Sequence, residues 1–141
     1  MLARFTWLLA GGLFLFLASC QSQNVAIEPD LTPVELFQKA QESTTQRNYR
    51  QAMLFYENYL DRFPLADNPD QLDRTLWAEY EIAFLYHKLG QDRRSLELLQ
   101  ALLTTYDEAT EPMPQAQRIL AERVLQELER DRRESAGEQP A

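Results

Sequence analysis

The chain is poor in the residues from which most protein chemistry is built. Its 141 residues include one cysteine, Cys20, and one histidine, His87. Zinc sites draw usually three or four ligands from Cys, His and carboxylates, so no metal cluster of that kind can be assembled. A lone cysteine has no partner for an internal disulfide. Nucleophilic catalysis needs an activating base beside the nucleophile, and His87 has no nucleophile at motif spacing around it. Glycine occurs four times, and Gly90 and Gly137 are the only two beyond the N-terminal apolar run, which leaves no glycine-rich phosphate loop. Basic residues are outnumbered, 14 Lys and Arg against 22 Asp and Glu. That balance excludes the basic patch that nucleic-acid phosphates require, and with it an electrostatic hold on anionic lipid. Glu79 and Glu81 point to different helix faces, and the other carboxylates read as solvated surface. The expectation is a binding protein, not an enzyme, with no metal and no nucleic-acid partner.

What the chain does have begins at its N-terminus. Met1–Ser19 carry a single charge, Arg4, followed by an apolar run from Trp7 to Ala18. A spanning helix needs about 20 apolar residues, and this run is shorter and ends in small residues ahead of a polar one. A short basic start, an apolar stretch and a small-residue cleavage site are the marks of a signal peptide.

The residues Leu17-Ala18-Ser19-Cys20 resemble a bacterial lipobox. The resemblance implies cleavage after Ser19 and a diacylglycerol and N-acyl lipid on Cys20, the only covalent group expected on this chain. Two or more acyl chains suffice for stable anchoring, because each buried CH₂ contributes ~0.8 kcal/mol. Residues 1–19 hold Arg4 and no acidic residue, so their removal makes the net charge one unit more negative than the −8 of the whole chain. Gln21 and Ser22 follow the cysteine, where Asp is a retention signal for the inner membrane in enteric bacteria. By resemblance to that rule, the destination is the periplasmic face of the outer membrane. Residues 20–31 have no periodicity, contain Pro29, and read as a lipidated tether.

The folded part, residues 32–133, reads as all-α. Thr32-Pro33-Val34-Glu35 places Thr at an N-cap, Pro at the first helical position and Glu at the third, a capping box. Apolar periodicity and punctuation predict helices at 33–46, 49–62, 69–89, 93–106 and 114–132, with Asn48, Asn68 and Asp92 as N-caps. The polar residues 134–141 read as a disordered tail.

Small residues recur across successive helices. Ala52 follows Ala40 by 12 residues, and Ser95 follows Ala83 by the same 12. With Leu36, Tyr49, Tyr56 and Pro64 in the first unit, and Ile82, Tyr86, Leu89-Gly90 and Leu99 in the second, this spacing resembles a tetratricopeptide repeat. Lys39 and Ser43 depart from the pattern in the first unit. Glu79, Asp92 and Asp107 depart from it in the second. The small-residue positions lie 43 residues apart, longer than the usual repeat, and Leu65–Asp73 account for the excess as a longer loop and an early helix start. The last helix, with Leu120, Val124 and Leu128 on one stripe and charge elsewhere, reads as a cap. The class resemblance extends to envelope lipoproteins such as barrel-assembly lipoproteins and type IV pilus pilotins, both of which are longer.

In arrays of that class, the first helices of the hairpins line a groove that takes a peptide or a partner's helix. Carried over to this chain, the groove residues are Val34, Phe37, Gln41, Thr44 and Thr45, then Trp77, Tyr80, Phe84, His87 and Lys88. Three aromatics in one helical stripe can supply anchors for a partner, and an aromatic stripe at that spacing also suits a core. The expected function is a lipid-anchored scaffold or adaptor that binds a protein or peptide in a bacterial cell-envelope assembly. The alternative is a lipoprotein that holds a small hydrophobic ligand or peptide in an aromatic-lined pocket. Two repeats and a cap make a thin array, since about three units are usually needed for stability. That leaves room for packing against a partner or a second copy of the chain.

Overall fold

The computed structural model describes residues 27–63 and 68–137. Within them the chain forms five α-helices: α1 (Pro33–Thr45), α2 (Tyr49–Arg62), α3 (Pro69–Lys88), α4 (Asp92–Glu108) and α5 (Ala116–Ser135). The lipobox, Cys20 and Pro64 lie outside the described residues. No described helix is long and apolar enough to cross a membrane.

The helix starts are local chemistry. The Thr32 hydroxyl accepts from the Glu35 amide at 3.3 Å, and the Thr32 amide donates to Glu35 Oε2 at 2.9 Å, closing the capping box. The Thr32 hydroxyl also donates to Glu35 Oε2 at 2.7 Å, and this bond, with the one from the Thr32 amide, holds the Glu35 carboxyl below its ordinary pKa. At α3 the Asn68 side chain accepts from the Asp70 amide at 3.0 Å, with Pro69 at the first position. Asn48 stands at the N-cap of α2 as expected, its carbonyl accepting from the Ala52 amide and its side chain making no cap bond. One N-cap differs from expectation, since α4 is capped at Gln91 with Asp92 already helical. The Asp92 carboxylate is engaged by His87, which takes it away from the helix terminus.

Both hairpin turns use one device. The Asn48 amide donates to the Ser43 carbonyl and the Arg47 amide to the Thr44 carbonyl; 43 residues on, Gln91 donates to Tyr86 and Gly90 to His87. This pair of bonds is a Schellman motif, which needs a left-handed residue just past the helix. Gly90 meets that need at φ 71°, whereas Arg47 occupies the same conformation at φ 60°.

The turns set the pairing. Ala40 and Ala52 are equidistant from the first turn, and Ala83 and Ser95 from the second; all four are fully buried. α1 packs on α2 and α3 on α4, and α2–α3 and α4–α5 contacts stack the hairpins. α3 also touches α5, so α1, α3 and α5 form one layer and α2 and α4 the other. The result is a small helical-hairpin array, the all-α class expected.

α3 joins two cores. Ala78, Ile82 and Leu85 point into a cluster with Leu36, Ala40, Phe55, Tyr56 and Tyr59. Leu76, Tyr80 and Ala83, on the opposite side of the helix, join Leu99, Leu102, Tyr106, Ala121, Val124 and Leu128. Each set follows the i, i+4, i+7 spacing of one helix face. No single hairpin buries its own apolar surface, so the array coheres through α3.

Two boundaries move outward. Leu31 is buried, Ile27 packs on the first core, and Arg62 donates to the Pro29 carbonyl at 2.7 Å and the Leu31 carbonyl at 2.8 Å. The segment read as tether is therefore docked from residue 27. At the other end α5 continues through Glu134 and Ser135, residues read as tail, because Asp131, Arg132 and Arg133 sustain its polar last turns.

Candidate functional site

The two buried rows of α3 leave a strip between them on the face shared with α1 and α5. Trp77, Glu81, Phe84 and Lys88 occupy it at successive turns. Trp77 and Phe84 are half-buried, and Lys88 is exposed. The rings form a ladder along the helix. Trp77 meets Tyr80 edge-on at 5.9 Å between centroids, Tyr80 stacks on Phe84 at 6.0 Å, and Phe84 meets His87 at 6.4 Å. Lys88 Nζ lies 4.7 Å from the Phe84 ring centre, a cation–π contact that extends the ladder to the helix end.

Tyr80 must be reassigned from groove to core. It is only 6 % exposed and packs within the second cluster. Burial, with the nearby Glu81 charge, pushes its hydroxyl up to about 12, while Arg123 on α5 acts in the opposite sense. Its ring supports Trp77 and Phe84 from beneath. Phe37 likewise serves packing: it meets Tyr56 edge-on at 5.3 Å and Tyr59 at 5.9 Å. No ring contact joins Phe37 to the α3 ladder among the described residues. Gln41 is exposed on α1, and Val34, at 55 % exposure, is the most open apolar residue of that helix. Thr44 and Thr45 turn their hydroxyls back to the Ala40 and Gln41 carbonyls.

His87 is committed as well. Its Nδ1 lies 2.8 Å from Asp92 Oδ1 and ties the end of α3 to the start of α4. Among the described residues no group of three Cys, His, Asp or Glu side chains could hold a metal ion. The side chains left to meet a partner on this strip are Trp77, Glu81, Phe84 and Lys88.

Two polar features were not legible in the sequence. Gln117, fully buried, donates to Asp73 Oδ1 at 2.7 Å and receives the Tyr106 hydroxyl at 3.5 Å, pinning α5 to the start of α3. The Tyr106 hydroxyl is pushed up to about 12, chiefly by burial. Glu79 and Glu81 do lie on different faces of α3, yet both are half-buried and burial raises both carboxyls above their ordinary range. The one available signal was Glu79 standing at a position that the repeat pattern reserves for a large apolar residue.

No protein-family model and no solved structure matches the chain. An uncharacterised protein of Treponema pallidum (strain Nichols) is 28% identical to it over 101 residues, covering 72% of this chain and 38% of that protein. The chain therefore spans less than half the length of this relative.

Proposed function

We propose that this protein is a lipid-anchored adaptor that captures a segment of another protein on the α3 strip. The observation that carries the reading is the placement of Trp77 and Phe84. Both rings pack at the edge of the second core, yet stay half-buried on one face, backed by the fully packed Tyr80 and flanked by Lys88. Rings held rigid from beneath and open on one side lose little conformational entropy when a partner covers them, and aromatic anchors of this kind dominate interface energies. Lys88 and Glu81 at the edge of the strip favour a partner segment that carries apolar residues with both charge signs.

The lipobox resemblance supplies the anchor at Cys20, and the docking of residues 27–31 on α2 sets how closely the array follows that anchor. Only residues 21–26 separate Cys20 from the docked segment. At ~3.3–3.6 Å per extended residue, they hold the array within about 25 Å of the membrane surface. The spacing of small residues and the repeated hairpin turn support membership of the tetratricopeptide class, and the outer-membrane destination rests on Gln21 and Ser22.

Affinity purification of the full chain from its native membranes tests the proposal. The wild type should retain a protein partner that Trp77→Ala combined with Phe84→Ala releases, with helical content unchanged by circular dichroism. An unchanged set of co-purifying proteins in that double variant would refute it. Cys20→Ala should release the protein from the membrane fraction or leave it unprocessed.

A further inference from the structure

The layer formed by α2 and α4 carries a second feature, independent of the α3 strip. The two helices stand apart over α3 and leave a cleft of about 290 Å³. Leu60 of α2 lines one side, Leu98, Ala101 and Leu102 of α4 line the other, and Ile82 and Glu79 of α3 form the floor. Glu79 has no hydrogen bond or ion pair with any described residue, and burial alone accounts for the upward displacement of its pKa. The Glu79 charge acts on the Tyr106 hydroxyl, which offers no positive charge in return.

A half-buried carboxylate at the base of apolar walls costs free energy unless something pairs with it. What complements this cleft is a cation on an apolar stem, the form of a lysine or arginine side chain. The volume lies at the lower edge of small-molecule pockets, which run from about 300 to 1,000 Å³; it admits a side chain or two more readily than a whole ligand. The net charge of −8 favours a basic partner again, through steering at long range.

We propose that the cleft between α2 and α4 receives a basic side chain of a partner protein segment, with its charge on the Glu79 carboxylate. The stem packs against Leu60, Ile82 and Leu98, and aliphatic residues beside the basic one cover the rim at Ala101 and Leu102. The array thus has two docking faces, one aromatic on the α3 layer and one acidic and aliphatic on the α2/α4 layer. A protein so equipped can bridge two segments of one partner, or two partners.

The test uses the full chain in non-ionic detergent micelles and a fluorescein-labelled dodecapeptide with a central Leu-Lys-Leu in an Ala/Ser background, read by fluorescence anisotropy. Hydrogen bonds to charged groups set the expected scale, a loss of about tenfold or more in affinity when either partner of the pair is neutralised. Glu79→Gln and a peptide with norleucine in place of lysine should each show that loss, while Glu127→Gln, at an exposed carboxylate of α5 outside both faces, binds as wild type. Glu79→Gln is isosteric and removes an uncompensated charge, so folding is retained. Binding by Glu79→Gln within about twofold of wild type overturns the proposal, as does equal affinity for the norleucine peptide. Equal loss on Glu127→Gln, or no binding at about 1 mM peptide, overturns it too. Because the α3 strip is untouched by Glu79→Gln, failure of this test leaves the adaptor reading to stand or fall on its own.

Discussion

Ser95→Ala should make this protein more stable, and the reasoning runs from one atom. Ser95 stands opposite Ala83 where α3 and α4 approach, is fully buried, and its Oγ has no hydrogen-bond partner. A buried hydroxyl left unsatisfied costs about 1–3 kcal/mol, and serine in a helix interior is worse than alanine by roughly half a kcal/mol. Alanine keeps the small volume that permits the close approach and removes the orphan group. A gain of about 1–2 kcal/mol follows, and for a domain near 100 residues each kcal/mol moves Tm by roughly 4–8 °C. Thermal and urea unfolding of the full chain in micelles, followed by circular dichroism, reads the change; the urea m-value should be unaltered, since the surface exposed on unfolding is the same. Ser95→Leu is the counter-variant, because extra side-chain volume in a close contact typically costs about 1–3 kcal/mol and sometimes more. A Ser95→Ala protein that melts at or below wild type, or a Ser95→Leu protein that melts with it, would refute the close packing of the second hairpin.

Other perturbations follow from the same geometry. Arg47→Gly relieves a left-handed φ on a residue with a Cβ, which costs about 1 kcal/mol or more, and should raise Tm; the equivalent Gly90→Ala should lower it. The raised carboxyls of Glu79 and Glu81 hold protons in the folded state at pH values where the unfolded chain, near 4.5, has lost them. Their cost is therefore absent at low pH and grows as pH rises through the folded values. Glu79→Gln with Glu81→Gln should gain on wild type in urea midpoint as pH climbs from 4 toward 7, and a constant difference across that range would contradict the assignment. Arg62→Ala removes both bonds to the Pro29 and Leu31 carbonyls, so limited proteolysis should cut near residues 27–31 faster in the variant while α3–α5 stay protected.

Much of the fold was legible because it rests on local chemistry. Thr32 and Glu35 three residues apart specify a helix start with no help from the rest of the chain, and the structure closes that box as written. Ala40, Ala52, Ala83 and Ser95 could be read as contact points because only small side chains allow two helices such an approach. The misreadings came where partners lie far along the sequence. Asp92 looked like an N-cap until His87, across the turn, claimed its carboxylate. Residues 27–31 lack periodicity, and nothing local announces that Arg62 will bind their carbonyls. Glu134 and Ser135 are polar enough to read as tail, yet the last turns of α5 need only backbone bonds and solvent.

The site divides in the same way. The aromatic spacing on α3 put Trp77, Tyr80 and Phe84 on one side of the helix, but which of them the core would take depends on α5. Tyr80 leans toward the row that meets Ala121 and Val124 and is buried, whereas Trp77 and Phe84 stay at its edge. Glu79 could not be assigned a cleft, since the gap over it exists only once α2 and α4 stack on either side of α3.

The adaptor reading stands or falls on what touches α3 in the cell. A photoreactive amino acid placed at Phe84, and separately at Trp77, in the membrane-anchored protein should yield a defined protein adduct. The same group at Leu54 or Ile119, exposed positions on other faces at 43% and 55%, should yield little or none. Adducts from Leu54 or Ile119 with none from Phe84 and Trp77 would contradict the account.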